Sequence, residues 1–462
     1  MGNREKRQKR EQFKRMVLFV LCLLLVAALT ALFGYVWYDR YSNTIVSPFF
    51  RKGNWVVIGI YGVLLFAFAQ IYGGFKVGFL KQGNVLYSLC LSILFVNVVT
   101  YFQVSLIGRH LMETMPFIYL TLADIAVCML WVMFSSHIYQ WLYPPRQMLL
   151  IFGSDMGSNL VEKVNARREK YHICETISAE ESVEMLEEKI LHYESVIICD
   201  VKAELRNRLL KFCFSNSVRV YITPKISDVI LRGADDINLF DIPLVLCRNN
   251  GLTFEQRLAK RIMDLLLSSI ALVLASPFML ITALVIKLYD HGPVLYKQVR
   301  LTEGGREFEI YKFRSMRVDA EKETGAILAG KEDDRITPVG KIIRAIRFDE
   351  LPQIINILKG DMSIVGPRPE RPELAKEHEK SMPEFSFRLK VKAGLTGYAQ
   401  ILGRYNTLPY DKLKFDLMYI SRYSLLLDIK LILMTIKILF MKDSTEGVDY
   451  EKEEKKDAAS KR

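Results

Sequence analysis

The sequence predicts a membrane protein in three parts. They are a membrane α-helical bundle of four transmembrane (TM) helices, a soluble α/β domain built on a parallel sheet, and a mostly α-helical domain with a re-entrant helical hairpin. Three observations predict this. Four apolar runs of membrane-spanning length lie within residues 16–141. Alternating apolar strands and polar helices follow, the pattern of a parallel sheet. A fifth long apolar run has basic residues at both ends and a Ser-Pro pair in its middle. Composition agrees, because 51% hydrophobic residues beside 25% charged ones, in a chain of 462, means that the apolar residues are gathered in blocks.

The chain opens on MGNREKRQKREQFKR, with seven Lys or Arg in fifteen residues, and passes directly into the apolar run 16–37. That run is too long for a signal peptide and no small-residue cleavage site follows it, so it reads as a transmembrane helix. Further spans are expected at 55–75, 85–107 and 116–141. The basic N-terminus belongs on the cytoplasmic side, and four crossings return the chain there, where Arg146, Arg167 and Arg168 follow. Residues 1–145 are therefore read as the transmembrane domain.

Residues 146–250 read as a Rossmann-like α/β domain. QMLLIFGSDMGSN is an apolar strand entering a Gly-containing turn, and SVIICDV and VRVYIT are two more buried strands. Gly153 and Gly157 form only part of a dinucleotide fingerprint, so they are expected to make a tight strand-to-helix turn, and the domain's ligand stays open. The seven cysteines carry no CxxC pair or metal-like spacing and read as small buried residues in a reducing compartment.

The fifth apolar run, LLLSSIALVLASPFMLITALVI, has Arg257, Lys260 and Arg261 before it and Lys287, Lys297 and Arg300 after it. A simple crossing would put one basic set outside. Pro277 removes a backbone donor and Ser276 can bond the carbonyl that this frees, so a break is expected here. The run is read as a helix that enters and leaves by one face, over about 262–288. Beyond it, residues 410–441 place Leu and Ile at helical spacing beside lysines, a pattern that suits a membrane interface or a protein core equally. The tail 443–462 is expected to be disordered.

A net charge of +12 asks for an anionic partner. Nucleic acid is disfavoured, since stacking platforms and groove-reading motifs are not apparent, which leaves the lipid bilayer and phosphorylated substrates. Lys297, Arg300, Arg306, Lys312, Arg314, Arg317, Lys341, Arg344 and Arg347 precede an acid pair, Asp349-Glu350, and Arg368, Arg371 and Arg404 follow it. The pair lies just before an apolar helical run containing Pro352, where acids in a first turn would favour the helix dipole. That structural role is sufficient on local grounds. In this basic setting a second role is coherent: one carboxylate attacks phosphorus while the other holds Mg2+ against phosphate oxygens.

GPVLYKQVR, EIYKFRSMR, RFDELPQIINILKGDMSIVGPRPE and KAGLTGYAQILGR occur in this order. Together they closely resemble the bacterial sugar transferase family, in particular the large monotopic phosphoglycosyl transferases (polyprenyl-phosphate hexose-1-phosphate transferases). The resemblance covers about 252–441. It implies transfer of a sugar 1-phosphate from a UDP-sugar to polyprenyl (undecaprenyl) phosphate, with release of UMP and start of a polysaccharide or glycoconjugate. It also implies a covalent phosphosugar-aspartate intermediate and a Mg2+ requirement. Carried over residue by residue, Asp349 is the nucleophile, Glu350 its metal partner, Arg344 the catalytic arginine and Arg368 a phosphate ligand. Lys312 and Arg314 fall in the substrate-binding Lys-Phe-Arg motif, Ser276-Pro277 at the re-entrant break, and Asp416 and Asp428 in the C-terminal pattern. The catalytic domain is then 251–442, at the cytoplasmic face of a bacterial inner membrane. The membrane and middle domains leave room for a homodimer. The rival readings are a non-catalytic membrane assembly protein of a polysaccharide machine, or a nucleotide-sensing protein of one. Neither needs an intact Asp349, Glu350 and Arg344. The sugar and the polyprenol length are not legible.

Overall fold

The computed structural model describes residues 2–45, 48–49, 52–153, 160–161, 164, 170–247, 251–317, 333–403 and 407–439. Gly157, Arg167, Arg168, Arg404 and the tail 443–462 lie outside the described residues. The chain divides into two compact units, Met1–Thr223 and Pro224–Arg462.

The first unit begins with helices α1 (Gly2–Val36), α2 (Lys52–Tyr72), α3 (Gln82–Gly108) and α4 (Met115–Leu142). Each has a stretch long and apolar enough to cross a membrane. Their inner faces share one core, in which Phe33 stacks on Tyr61 at 4.3 Å and Leu29, Leu65, Leu89 and Ile93 are buried. Several polar groups in that core are bonded across helices, which suits a membrane interior. Trp37 Nε1 donates to Asn54 Oδ1 (2.9 Å), Tyr61 Oη to Asn97 Oδ1 (2.9 Å), and Trp131 Nε1 to the Leu21 carbonyl (2.9 Å). The outward faces carry exposed Leu94, Phe102, Leu130 and Met133, which suits lipid.

A mixed α/β region completes the unit. Strands β1 (Arg146–Phe152), β2 (Tyr171–Ser178), β3 (Ser195–Cys199) and β4 (Arg219–Ile222) form one sheet in the order β2-β1-β3-β4, every pairing parallel. β3 is wholly buried and the middle of β1 is too, the near-continuous apolar signature of strands covered on both faces. Helices α5 (Val183–Leu191) and α6 (Ala203–Ser215) pack Leu186, Ile190, Leu209 and Cys213 against that sheet. Gly153 follows β1 where a Cβ would stand 2.3 Å from the Asp200 carbonyl, so close passage of two chain turns accounts for this glycine.

The second unit opens with α7 (Ile226–Leu231) and the antiparallel hairpin β5 (Asp235–Leu239) and β6 (Ile242–Leu246), whose ten strand residues are all exposed. Helix α8 (Phe254–Asp290) follows, 37 residues long and the fifth candidate membrane helix. It continues through Pro277 as one helix rather than two, and a proline-centred bend of the kind the sequence led us to expect needs no interruption. The proline's missing N–H would have bonded Val273, and Ser276 Oγ donates to that carbonyl at 2.8 Å instead. Ser276→Ala should therefore leave the Val273 carbonyl unmet in apolar surroundings and cost about 1 kcal/mol. A lower Tm in detergent checks this, and an unchanged Tm removes the assigned role.

Both ends of α8 pack on the rest of this unit. Arg261 donates to the carbonyls of Ile357 (2.6 Å) and Leu358 (2.8 Å). Phe278 meets Phe348 edge-on with ring centroids 6.1 Å apart, and Ile286 is buried with Phe313 and Ile343. The remainder comprises the hairpin β7 (Leu295–Leu301) and β8 (Glu307–Phe313), helices α9 (Pro338–Ala345) and α10 (Gln353–Lys359), and strand β9 (Ser363–Val365). Then come α11 (Pro372–Ser381), a 3₁₀ stretch Pro383–Lys390, strand β10 (Gly394–Thr396), and helices α12 (Tyr398–Leu402), α13 (Pro409–Ser421) and α14 (Leu425–Leu439). β9 and β10 pair in parallel. A buried polar cluster ties α8 to this core: Lys260 meets Asp428 at 2.6 Å, Tyr419 Oη donates to Asp428 (2.8 Å), and Asp264 accepts from Ser363 Oγ and the Ile364 N–H, both at 3.1 Å.

Candidate active site

Asp349 and Glu350 do not lie in the first turn of a helix, as the sequence led us to expect. They form a single 3₁₀ turn, Phe348–Glu350, ahead of α10, and Pro352 is the residue that caps α10. The cause is Arg347, whose φ of +60° ends α9 and turns the chain. Helix α10 has seven residues, so its dipole contributes little, and cationic side chains set the local field instead.

Glu350 is 13% exposed and one of its oxygens, Oε1, takes both of its cations: Arg368 Nη2 at 2.8 Å and Lys312 Nζ at 3.4 Å. Burial pushes this carboxyl up, but Arg368 and then Lys312 and Arg347 outweigh that and hold it well below the ordinary glutamate range. Asp349 goes the other way. Burial and then the charge of Glu350 raise it, against Lys312, Arg344 and Arg347. Two adjacent carboxyls thus have opposite tendencies, one a fixed anion and one a more basic group. Asp349 Oδ1 is buried and bonds nothing. Buried polar atoms are rarely left so, and this one is free to meet a reacting atom or a cation.

Lys312, on β8, is lowered by burial with Glu350 opposing. Arg300, Ile310, Lys312, Gln353, Arg368 and Pro369 line a small, open cleft beside Glu350. Burial also lowers Arg300, to about 10. The sequence-based expectation counted Arg300 only among the basic flank and omitted Gln353. Arg344 stands in the last turn of α9, where its charge acts on Asp349 without a bond to it. Arg314 is not brought to the pair. Its buried guanidinium bonds Asp290 at the end of α8, with Gly292 leaving it room. Ser276 and Pro277 adjoin the site through their neighbour Phe278, which touches Phe348.

For Mg2+, two carboxylates with one unengaged oxygen are the hard donors the ion prefers. Among the described residues no group of three or more His, Cys, Asp or Glu gathers to hold a metal.

The raised Asp349 carries a pH prediction. In the metal-free protein the Asp349 carboxyl should lose its charge as pH falls through a value above the ordinary 3.8, whereas a bound dication would draw that value down. Carboxyl 13C shifts followed across pH without metal check it, and a titration at or below 3.8 contradicts it.

Comparison with known proteins gives the family. A model described as bacterial sugar transferase matches residues 255–442. UDP-N-acetylgalactosamine-undecaprenyl-phosphate N-acetylgalactosaminephosphotransferase of Aeromonas hydrophila is 44% identical over 183 residues, 39% of this chain and 43% of that protein. UDP-glucose:undecaprenyl-phosphate glucose-1-phosphate transferase of Klebsiella pneumoniae is 39% identical over 211 residues, 45% of this chain and 43% of its own length. The protein of the same name from Caulobacter vibrioides is 39% identical over 194 residues, 40% of this chain and 72% of its own. The chain thus spans less than half the length of the first two relatives.

Proposed function

We propose a reaction from one premise: the chain belongs to the bacterial sugar transferase family. The reaction is transfer of a sugar 1-phosphate from a UDP-sugar to undecaprenyl phosphate, releasing UMP and initiating a polysaccharide or glycoconjugate. The observation that carries it is the divided acid pair: Glu350 is held by Lys312 and Arg368, while Asp349 is raised and keeps a free, buried oxygen.

In the first step the Asp349 carboxylate attacks the phosphorus bonded to the sugar. A P–O bond forms to Asp349, the P–O bond to UMP breaks, and UMP leaves with the bonding electrons. In the second step a phosphate oxygen of the lipid attacks the same phosphorus and Asp349 leaves as a carboxylate, which gives the lipid diphosphate sugar. Glu350 and Asp349 would hold Mg2+, which would supply neutralisation of phosphate oxygens. Arg368 and Lys312 orient the phosphates, and Arg344 lowers the cost of an ionised Asp349. Arg314 acts at one remove, by fixing the end of α8 through Asp290.

The lipid substrate fits the position of α8. Phe278, in the middle of that apolar helix, touches the residue preceding Asp349, so the site adjoins the hydrophobic phase. A re-entrant course for α8 is supported by its two ends. A straight helix would separate Arg261 from Ile286 by about 37 Å. Arg261 nevertheless reaches the end of α10, and Ile286 packs in the cluster that contains Leu351, two residues before α10. Four spans before α8, a Rossmann-like middle domain and a basic N-terminus support a location of residues 251–442 at the cytoplasmic face of the inner membrane. A homodimer through the first unit completes the reading.

The test is UMP release by purified full-length protein from a panel of UDP-sugars, with undecaprenyl phosphate and Mg2+ present. Release from one sugar establishes the reaction and names the substrate. No release from any, with lipid and metal verified, overturns it.

A further inference from the structure

The segment that presents Arg368 is gripped carbonyl by carbonyl. The Gly394 N–H donates to the carbonyl of Pro367 (2.8 Å). Arg388 Nη2 donates to the carbonyl of Arg368 (2.9 Å), Arg300 Nη1 to that of Pro369 (3.3 Å), and the Leu301 N–H to that of Glu370 (3.0 Å). Backbone donors on β7 and β10 are fixed by their strands. Arginine donors are long side chains and need fixing of their own.

Arg388 has it. Its side chain is 7% exposed, lies over the Phe385 ring at 4.9 Å, and faces Asp416 on α13 at 2.9 Å and Glu370 at 3.6 Å. Asp416 is 1% exposed. A buried ion pair is a poor way to join two elements, because apolar residues of similar volume do so at lower desolvation cost. An apolar pair could not donate to the Arg368 carbonyl from a fixed direction. Arg368 in turn donates to Glu350 at 2.8 Å. A line of contacts therefore runs from Asp416 through Arg388 and the backbone of Arg368 to the acid pair.

We propose that Arg388 and Asp416 are positioning residues of the transfer, which set the place of the Arg368 guanidinium by holding its backbone while touching neither Asp349 nor Glu350. This rests on the phosphoryl-transfer reading above. Arg388 aims at one carbonyl, and the buried Asp416 carboxylate offsets its charge and holds it in place. Their effect on turnover passes chiefly through Arg368, with Glu370, which also meets Arg300 at 3.7 Å, as the lesser route.

The experiment is a set of double-mutant cycles on purified full-length protein, with UMP release as the readout. Asp416→Asn and Arg388→Lys are each made in the wild-type and in the Arg368→Lys background. In the wild-type background each should lower kcat/KM for the UDP-sugar by about 10- to 100-fold, the range for supports lying behind a site, and Asp416→Glu should recover most of it. In the Arg368→Lys background the same changes should cost less than about threefold, because the route they act through is already cut. Losses that multiply in the two backgrounds overturn the proposal, as does a change below about twofold in the wild-type background. Loss of a cooperative thermal transition in both Asp416→Asn and Arg388→Lys also overturns it, since the pair is then part of the core. A wild type that releases no UMP removes the reaction itself, whereas an active wild type with multiplying losses removes only the positioning role.

Discussion

Asp349→Asn should abolish transfer, with UMP release falling by at least about a thousandfold, while the protein melts no lower than wild type. The loss follows from the chemistry, since an amide cannot form the acyl phosphate and nucleophile removal costs factors of this size or larger. The retained stability follows from the environment. Burial and the neighbouring Glu350 oppose a charge on Asp349, and its Oδ1 has no hydrogen-bond partner to lose. Removal of a functional but strained group commonly leaves stability equal or improved. UMP release beside a thermal melt decides the matter. Turnover within tenfold of wild type removes Asp349 as the nucleophile, and a folded, inactive variant supports it.

Glu350→Gln is expected to act differently, through metal and charge. Arg368 and Lys312 both bond Oε1 of Glu350, so the amide leaves two cations with a weaker acceptor and removes half of the carboxylate pair. Lys312 is already lowered by burial, with Glu350 the largest influence raising it, and should fall further. The expected result is at least a hundredfold loss of kcat and a rise of about tenfold or more in the Mg2+ concentration giving half-maximal rate. A Mg2+ titration of UMP release separates the two effects. An unchanged half-saturating Mg2+ concentration denies Glu350 its metal role, even if kcat falls.

Much of this was legible in the sequence because the signals were strong and local. Apolar length announced α1 to α4: α3 and α4 bracket the expected runs, whereas α1 starts well before its run, at Gly2, and α2 ends at Tyr72, short of the expected end. Strands β1, β3 and β4 announced themselves by their apolar runs, although β4 lies at the sheet edge and is only half-buried. The edge strand β2, YHICETIS, was missed because it alternates polar and apolar residues and one side of it lacks a neighbour. The pair β9 and β10 was missed for another reason: three residues each are too few for any period to show. At the site, the residue types Asp, Glu, Arg and Lys were plain, and their pairings were not. Arg314 and Lys312 stand two residues apart in one basic motif, yet Arg314 bonds Asp290 and Lys312 reaches Glu350. Arg388 carried no signal at all, because the group it serves is a backbone carbonyl, which every residue possesses.

The left-handed turn at Arg347 sets two selective pressures against each other. A non-glycine residue held there costs the fold roughly 1–2 kcal/mol, and glycine would escape that strain. Glycine would also delete a cation that favours the charged forms of Asp349 and Glu350. In laboratory evolution, selection for heat tolerance should therefore collect Arg347→Gly readily, and selection for turnover should discard it. A single codon next to the acid pair then records which pressure a population has met.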